Sequence, residues 1–419
     1  MWQRALRSYE NRVLVLLGLA FGIAFFDRNS ATILVPFIEK DLHLDNTQVG
    51  WLASGLSITW AAGALLIGWL SDAVGVRKPF LLGFLVIFSL SSFIAGLAGS
   101  YPVLLASRML MGAVEGPFLP VCLAIMAVES SEHRRGVNAG IMQNFFASVL
   151  GQSLAPLLLV PLAQLLGWRS AFYIAGVPGL LLAVAVLLWV REPARTPRAA
   201  TPESTEVPHL GLFDMLCVRN ILLCCAIAIF MVAWFVMGWA FLPKFLTDFR
   251  HLTPQQMSYL MTLLGVGSAL SSFSVPAISD RIGRKPTMIF FCLLGLLTPL
   301  GALYGHGPIV IGLLMFVGWF GAGSFPLFMG VIPPETIPRR YAATAMGLIV
   351  CVGEVIGGTA INSLAGVAAD RTTLAAPMLM QAACALVGGL LCTLLIETAP
   401  VKTRALAAPL APGARDPAT

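Results

Sequence analysis

The chain has 419 residues, 58% of them hydrophobic and 11% charged, with a formal net charge of +6 and a mean hydropathy of +0.86. An ordinary soluble domain carries roughly 25% charged residues, so much of this surface must face lipid, and a water-soluble enzyme is excluded. The basic balance does not point to nucleic acid, because Lys and Arg fall in the gaps between apolar runs, as in the loops of a membrane protein.

Apolar runs predict about twelve helices, over 13–38, 48–70, 80–99, 103–128, 137–161, 168–190, 220–246, 256–279, 287–305, 308–331, 342–368 and 374–396. Each is near the roughly 20 residues that a span needs. Arg4, Arg7 and Arg12 before Val13 have the look of a signal peptide. No small-residue cleavage site follows before Asp27, so the first run is expected to be an uncleaved span. The expected layout is a six-helix bundle over 1–190, a Pro-, Thr- and Glu-rich linker over 191–219, a second six-helix bundle over 220–397 and a disordered Ala/Pro-rich tail over 398–419. Every second gap is basic: Arg77 and Lys78, Arg134 and Arg135, Arg191, Arg195 and Arg198, Arg281, Arg284 and Lys285, Arg339 and Arg340, Lys402 and Arg404. This bias places both termini in the cytoplasm.

The first run holds an Asp27-Arg28 dyad between uncharged stretches. Charge at that depth costs a few kcal/mol per group on insertion scales, which is tolerable against a water-filled or protein-lined cavity. Asp27 and Arg28 are therefore expected to line a path; the competing reading ends the span at Phe26. Seven of the eight cysteines lie inside apolar runs and no CxxC pair exists, so neither a disulfide framework nor a metal site is expected. The five histidines sit between runs or at their ends. Nothing matches G-x-x-x-x-G-K-[ST], which argues against ATP-driven transport. No nucleophile–base set is evident, and no cofactor is expected.

The segment from Gly68 to Pro79 recurs from Pro276 to Pro286, with Asp72 and Asp280, and Gly75 and Gly283, each 208 positions apart. Parallel repeats of this kind form two halves with a site between them near the midplane. Gly68, Leu70, Asp72, Gly75, Arg77 and Lys78 match G-x-L-x-D-x-x-G-x-R-[KR], and here the chain resembles the major facilitator superfamily over about 13–396. The second copy departs by having Pro276 for Gly and one residue fewer before Arg284. The Asp27-Arg28 dyad, Arg108-x-x-x-Gly112-x-x-Glu115-Gly116-x-x-x-Pro120 and Gly167-Trp168-Arg169-x-Ala171-Phe172 further resemble the anion:cation symporter family.

The resemblance implies an all-α membrane protein of the bacterial inner membrane. It would import a small organic anion, such as a sugar acid or another carboxylate, with protons as coupling ion, and would work as a monomer in the lipid bilayer. It implies a latch of Asp72, Arg77 and Lys78, with Asp280 and Arg284 as counterpart; the plain alternative is a solvated turn. It assigns proton coupling to Asp27 and Glu115, the alternative being a static ion-pair network. Arg108 and Glu115 are seven apart and share a face of their helix; Arg108 is expected to be structural. Arg28 presents a planar fork for a carboxylate, or else only neutralises Asp27 or Glu115. Glu354 stands outside the family pattern, as a second protonation site, a tuner of substrate or a local polar contact. Gln143, Asn144 and Asn362 can hydrogen-bond a substrate or a neighbouring helix. Phe25 and Trp234, with Phe26, Phe145, Phe146, Phe235 and Trp239, offer rings to a cavity or to packing. The seventh run has no basic residue between Ile221 and Lys244, which favours a monoanion over a phosphate ester. The two rival readings are drug efflux, whose adjacent Gly-Pro signature is missing around Gly151 and Pro156, and a ligand sensor on the same scaffold.

Overall fold

The computed structural model describes residues 9–74, 76–131, 138, 140–192 and 212–399, without the side chains of 65, 68–69, 71–73, 127, 212–213, 339–340 and 342–343. In chain order the long helices are α1 (Tyr9–Leu42), α2 (Asn46–Val74), α3 (Lys78–Gly96), α4 (Tyr101–Glu129), α5 (Ile141–Leu166), α6 (Trp168–Trp189), α7 (Arg219–Phe249), α8 (Pro254–Ile282), α9 (Arg284–Tyr304), α10 (Gly307–Thr336), α11 (Thr344–Arg371) and α12 (Ala375–Cys392). Eleven are long and apolar enough to cross a membrane on the described residues; α2 is the twelfth, at 29 residues. The predicted spans are all present, with edges moved by a few residues. The greatest change is at α1, which runs 34 residues, so that Asp27 lies inside the helix and does not end it. The linker 193–211, Arg134, Arg135 and 400–419 lie outside the described residues.

Local sequence explains the starts and breaks. Proline stands in the first turn of α3, α4, α8 and α10, where its missing N–H costs nothing. Thr253 and Gln256 form a reciprocal cap on α8. Gly167 and Gly283, with φ of 82° and 111°, make the sharp turns into α6 and α9. One detail repeats in both halves. Glu192 accepts the N–H groups of Arg77 (2.6 Å) and Lys78 (2.8 Å) at the start of α3. Glu397 does the same for Arg284 (2.7 Å) and Lys285 (3.1 Å) at the start of α9. A carboxylate there satisfies orphan donors and complements the helix dipole.

Helices α1–α6 pack together, as do α7–α12, and the halves meet along α1 with α7, α2 with α11 and α5 with α8. Their polar contacts cluster at the end opposite the basic loops. Lys244 of α7 pairs with Glu39 of α1 at 2.5 Å. Asp370 of α11 caps the start of α2, accepting from the N–H groups of Asn46 (2.8 Å) and Thr47 (2.7 Å). Ser258 of α8 donates to the Pro156 carbonyl of α5 at 2.7 Å. The apolar core follows the same division. Toward this end a single core includes Ile33, Ile38 and Val49 of the first half with Phe241, Phe245 and Met257 of the second. Toward the basic-loop end it splits into one cluster of first-half residues, including Val13, Phe84 and Met126, and another of second-half residues, Met215, Ile221, Ile337 and Ala345. The halves are joined at one end and part at the other.

Candidate functional site at the junction of the halves

Five consecutive residues of α1 show how the site is built. A helix turns about 100° per residue, so neighbours in sequence face different partners. Phe26 enters the shared core. Asp27 is fully buried inside the first half, accepting from Ser92 Oγ of α3 and lying beside the Arg108 guanidinium. Arg28 is 19% exposed and turns toward Glu115 of α4, its Nη1 lying 4.0 Å from Glu115 Oε2. Asn29 donates to the Gly151 carbonyl of α5 at 2.8 Å, and Ser30 donates to the Asp27 carbonyl at 2.5 Å. The expectation that Asp27 lines a path with Arg28 is corrected: the dyad is split between the bundle interior and the junction. Phe25 lies under the Arg28 guanidinium, 5.5 Å from ring to Cζ.

Arg108 lies inside the first half. It is 1% exposed, stands 5.3 Å over the Phe172 ring and donates to the Asp27 carbonyl at 3.4 Å. Glu115 is placed by its flanking glycines. A Cβ at Gly112 would collide with the Leu56 carbonyl, and one at Gly116 with the Trp60 carbonyl. Bare backbone at these two positions lets α4 lie directly on α2, as small-residue pairs four apart commonly do in membranes.

Glu354 of α11 completes the junction. It approaches Ser57 of α2 and lies close enough to Arg28 to interact with its charge. The Arg28 guanidinium of one half thus faces a carboxylate of its own half and carries its charge within range of one from the other. Glu354 Oε2 and both carboxylate oxygens of Glu115 have no hydrogen-bond partner among the described residues. Glu354 belongs to a nine-residue stretch, Gly353–Ile361, whose wider turns break the regular ladder of α11. Such wide turns recur at functional sites, and α5 has them from Ile141 to Phe145 and from Ala147 to Leu154.

The remaining sequence candidates divide. Gln143 is exposed and Asn144 half-buried, both on the wide turns of α5. Asn362 is not a substrate ligand in this arrangement: wholly buried, it donates to the Gly50 carbonyl (3.1 Å) and Ser54 Oγ (3.3 Å) of α2, tying the halves together. Trp234 is also corrected. It is fully buried within the second half, and its indole N–H donates to the Gly295 carbonyl at 3.0 Å. Arg284 pairs with Asp280 and, at 2.8 Å, with Glu335, all within the second half. Lys78 Nζ donates to the Leu187 carbonyl at 2.7 Å, within the first. These latch residues make intra-half contacts here, and the side chain of Asp72 lies outside the described residues. Gly167-Trp168-Arg169 proves to be a brace: Arg169 pairs with Asp41 at the end of α1 at 2.6 Å, and Trp168 donates to the same carboxylate at 3.2 Å.

Sequence reasoning missed Ser92, Ser57 and the Glu39–Lys244 pair. No motif marks the two serines. For Lys244 the signal was present, since a lysine after an uncharged stretch of more than twenty residues in a span needs a partner.

Two joined helical halves with an ionic junction between them define a membrane transporter fold, not an enzyme. The Major Facilitator Superfamily model matches residues 17–360 and 223–415, and the chain belongs to that family. It is 28% identical to the 3-(3-hydroxy-phenyl)propionate transporter of Escherichia coli (strain K12) over 85% of this chain and 87% of that one. It is 27% identical to a probable 4-methylmuconolactone transporter of Cupriavidus pinatubonensis, over 86% and 84% of the two chains. Among solved structures it resembles a bacterial homolog of the human lysosomal transporter Spinster in its inward-facing, unoccupied conformation, with a TM-score of 0.75 at 17% identity, covering 93% and 98% of the chains.

Proposed function

We propose that this transporter carries a small organic acid as its anion, bound at Arg28, together with a proton, into a bacterial cell across the inner membrane. The observation that carries the reading is the Arg28 guanidinium at the junction, 4.0 Å from Glu115 and with the buried Glu354 of the other half within range of its charge. A guanidinium is the side chain best shaped for a carboxylate, with two parallel donors. One cation already faces two acids, so an arriving carboxylate would set three anionic groups around it in a poorly solvated site. A proton taken up by Glu115 or Glu354 relieves that excess. One relative named above is a 3-(3-hydroxy-phenyl)propionate transporter, and a propionate is an organic acid, which supports the same substrate class. In this reading Asp27 positions the helix and leaves proton coupling to the other two acids.

Glu354 and Arg28 come from opposite halves, so the proton and the anion act on the contact between them. Substrate carboxylate on Arg28 replaces Glu354 there, which frees the halves to rock and close the basic-loop end. The basic-loop end faces the cytoplasm in this proposal, which makes the structure open inward.

Proteoliposomes loaded at neutral pH and diluted into acid medium test this. Accumulation of a labelled aromatic or sugar acid is expected to rise with the inward proton gradient and to collapse with a protonophore. Substrate driven out of the vesicles by an inward proton gradient would overturn it.

A further inference from the structure

The second half holds a cluster of aromatic rings near the level of Arg28. Trp319 and Phe325 of α10 meet Phe235 of α7, with ring centroids 5.5 Å and 5.4 Å from it, and Trp239 stands 5.8 Å from Trp319. Depth along the membrane follows from the Glu39–Lys244 pair, which sets α1 and α7 in register. Arg28 lies eleven residues before Glu39 and Phe235 nine before Lys244. At about 1.5 Å per residue these are roughly 16 Å and 14 Å from the pair, so they share a level. Trp239, five residues before Lys244, lies roughly 8 Å from the pair, nearer the joined end.

The tryptophans differ in one respect. Trp234 donates its N–H to the Gly295 carbonyl at 3.0 Å, and Trp319 donates to Ser268 Oγ at 2.7 Å. Trp239 is 5% exposed, and its indole N–H has no partner among the described residues. Buried indole N–H groups usually find an acceptor. Packing accounts for the first two rings and leaves the third with an unused donor beside the half-buried Phe235.

Resting on the organic-acid reading above, we propose that Phe235, Trp239 and Phe325 form a subsite for an aromatic ring that carries an oxygen substituent. The substrate is then an aryl carboxylate with a short alkyl arm. Its carboxylate sits on Arg28 in the first half, its ring lies against Phe235 and Phe325, and its ring oxygen accepts from Trp239. A polyhydroxylated sugar acid would leave most of its hydroxyls against apolar faces, where unpaired polar groups are costly. Binding then bridges the halves through one rigid ligand.

Calorimetry on the full chain in lipid nanodiscs tests the subsite with four probes: 3-(3-hydroxyphenyl)propionate, 3-phenylpropionate, 3-cyclohexylpropionate and galactonate. The phenyl acid is expected to bind up to about tenfold tighter than its cyclohexyl counterpart, the usual size of an aromatic pairing. The hydroxyphenyl acid should bind tighter still. Trp239→Phe should erase the advantage of the hydroxyl while sparing the phenyl acid, and Phe235→Leu should weaken both aryl acids but not the cyclohexyl one. Equal binding of phenyl and cyclohexyl acids by the unmodified protein, tighter binding of galactonate, or a hydroxyl preference that survives Trp239→Phe would overturn the subsite. Arg28→Lys separates the two claims. If it weakens every acid while the ring preferences are missing, the anion site stands and the aromatic subsite falls. If no acid binds in an Arg28-dependent way, both fall.

Discussion

At the scale of single residues, the junction turns on side chains that a helix aims in different directions. Arg28→Lys keeps the charge and removes the planar fork. Hydrogen bonds to charged groups contribute about 1.5–3 kcal/mol, so substrate affinity should fall roughly tenfold to a hundredfold; equilibrium binding checks it. Asp27→Ala should act differently. It leaves the Arg108 guanidinium buried without the nearby carboxylate charge, and an uncompensated buried charge is destabilising. A lowered midpoint of thermal unfolding is expected, with affinity in the surviving folded fraction little changed. Glu354→Gln keeps size and removes the charge facing Arg28. Substrate binding should lose its dependence on pH in part and become tighter at alkaline pH, where the unmodified protein keeps the competing carboxylate charged. The same pH profile in both proteins would remove Glu354 from the exchange.

At the scale of elements, α2 and α4 touch through glycine and carry Ser57 and Glu115 into the site. Gly116→Val would drive a branched side chain into the Trp60 carbonyl. Overpacking of this kind costs about 1–3 kcal/mol or more, and it would move Glu115 away from Arg28. Reduced folded yield together with weakened substrate binding is expected, measured by size-exclusion profile and calorimetry. The glycines of this segment were legible in the sequence as a family feature, but their physical use was not. Spacing of four shows that they share a face; it does not show which helix that face meets. The wide turns of α5 and α11 were likewise illegible, because no residue pattern in Ile141–Leu154 or Gly353–Ile361 announces an extra residue in the turn.

At the scale of the whole molecule, the joined end is held by polar contacts that cross between halves. Lys244→Met removes the partner of Glu39, and Asp370→Asn weakens the cap on α2. Each contact exists only while this end is closed, so losing it favours the alternative arrangement; every 1.4 kcal/mol is tenfold in that equilibrium. Spin labels placed across the joined end should report a longer distance population in Lys244→Met. A distance distribution unchanged from that of the unmodified protein would show that the pair does not hold the end shut.

By itself, the sequence determined the long apolar helices, the repeated loop motif, the family and the roster of ionisable residues inside the apolar runs. Those follow from run length, hydropathy and short motifs, which are local and need no partner. Only the tertiary structure decided which side of each span faces what. It turned Asp27 inward and Arg28 toward the junction, withdrew Trp234 and Asn362 into packing, brought Glu354 to Arg28 across some 326 positions of chain, and joined the halves at one end. The reason is that lipid, core and cavity all accept an apolar helix, so hydropathy cannot rank its faces. Contacts with the helices packed around it can.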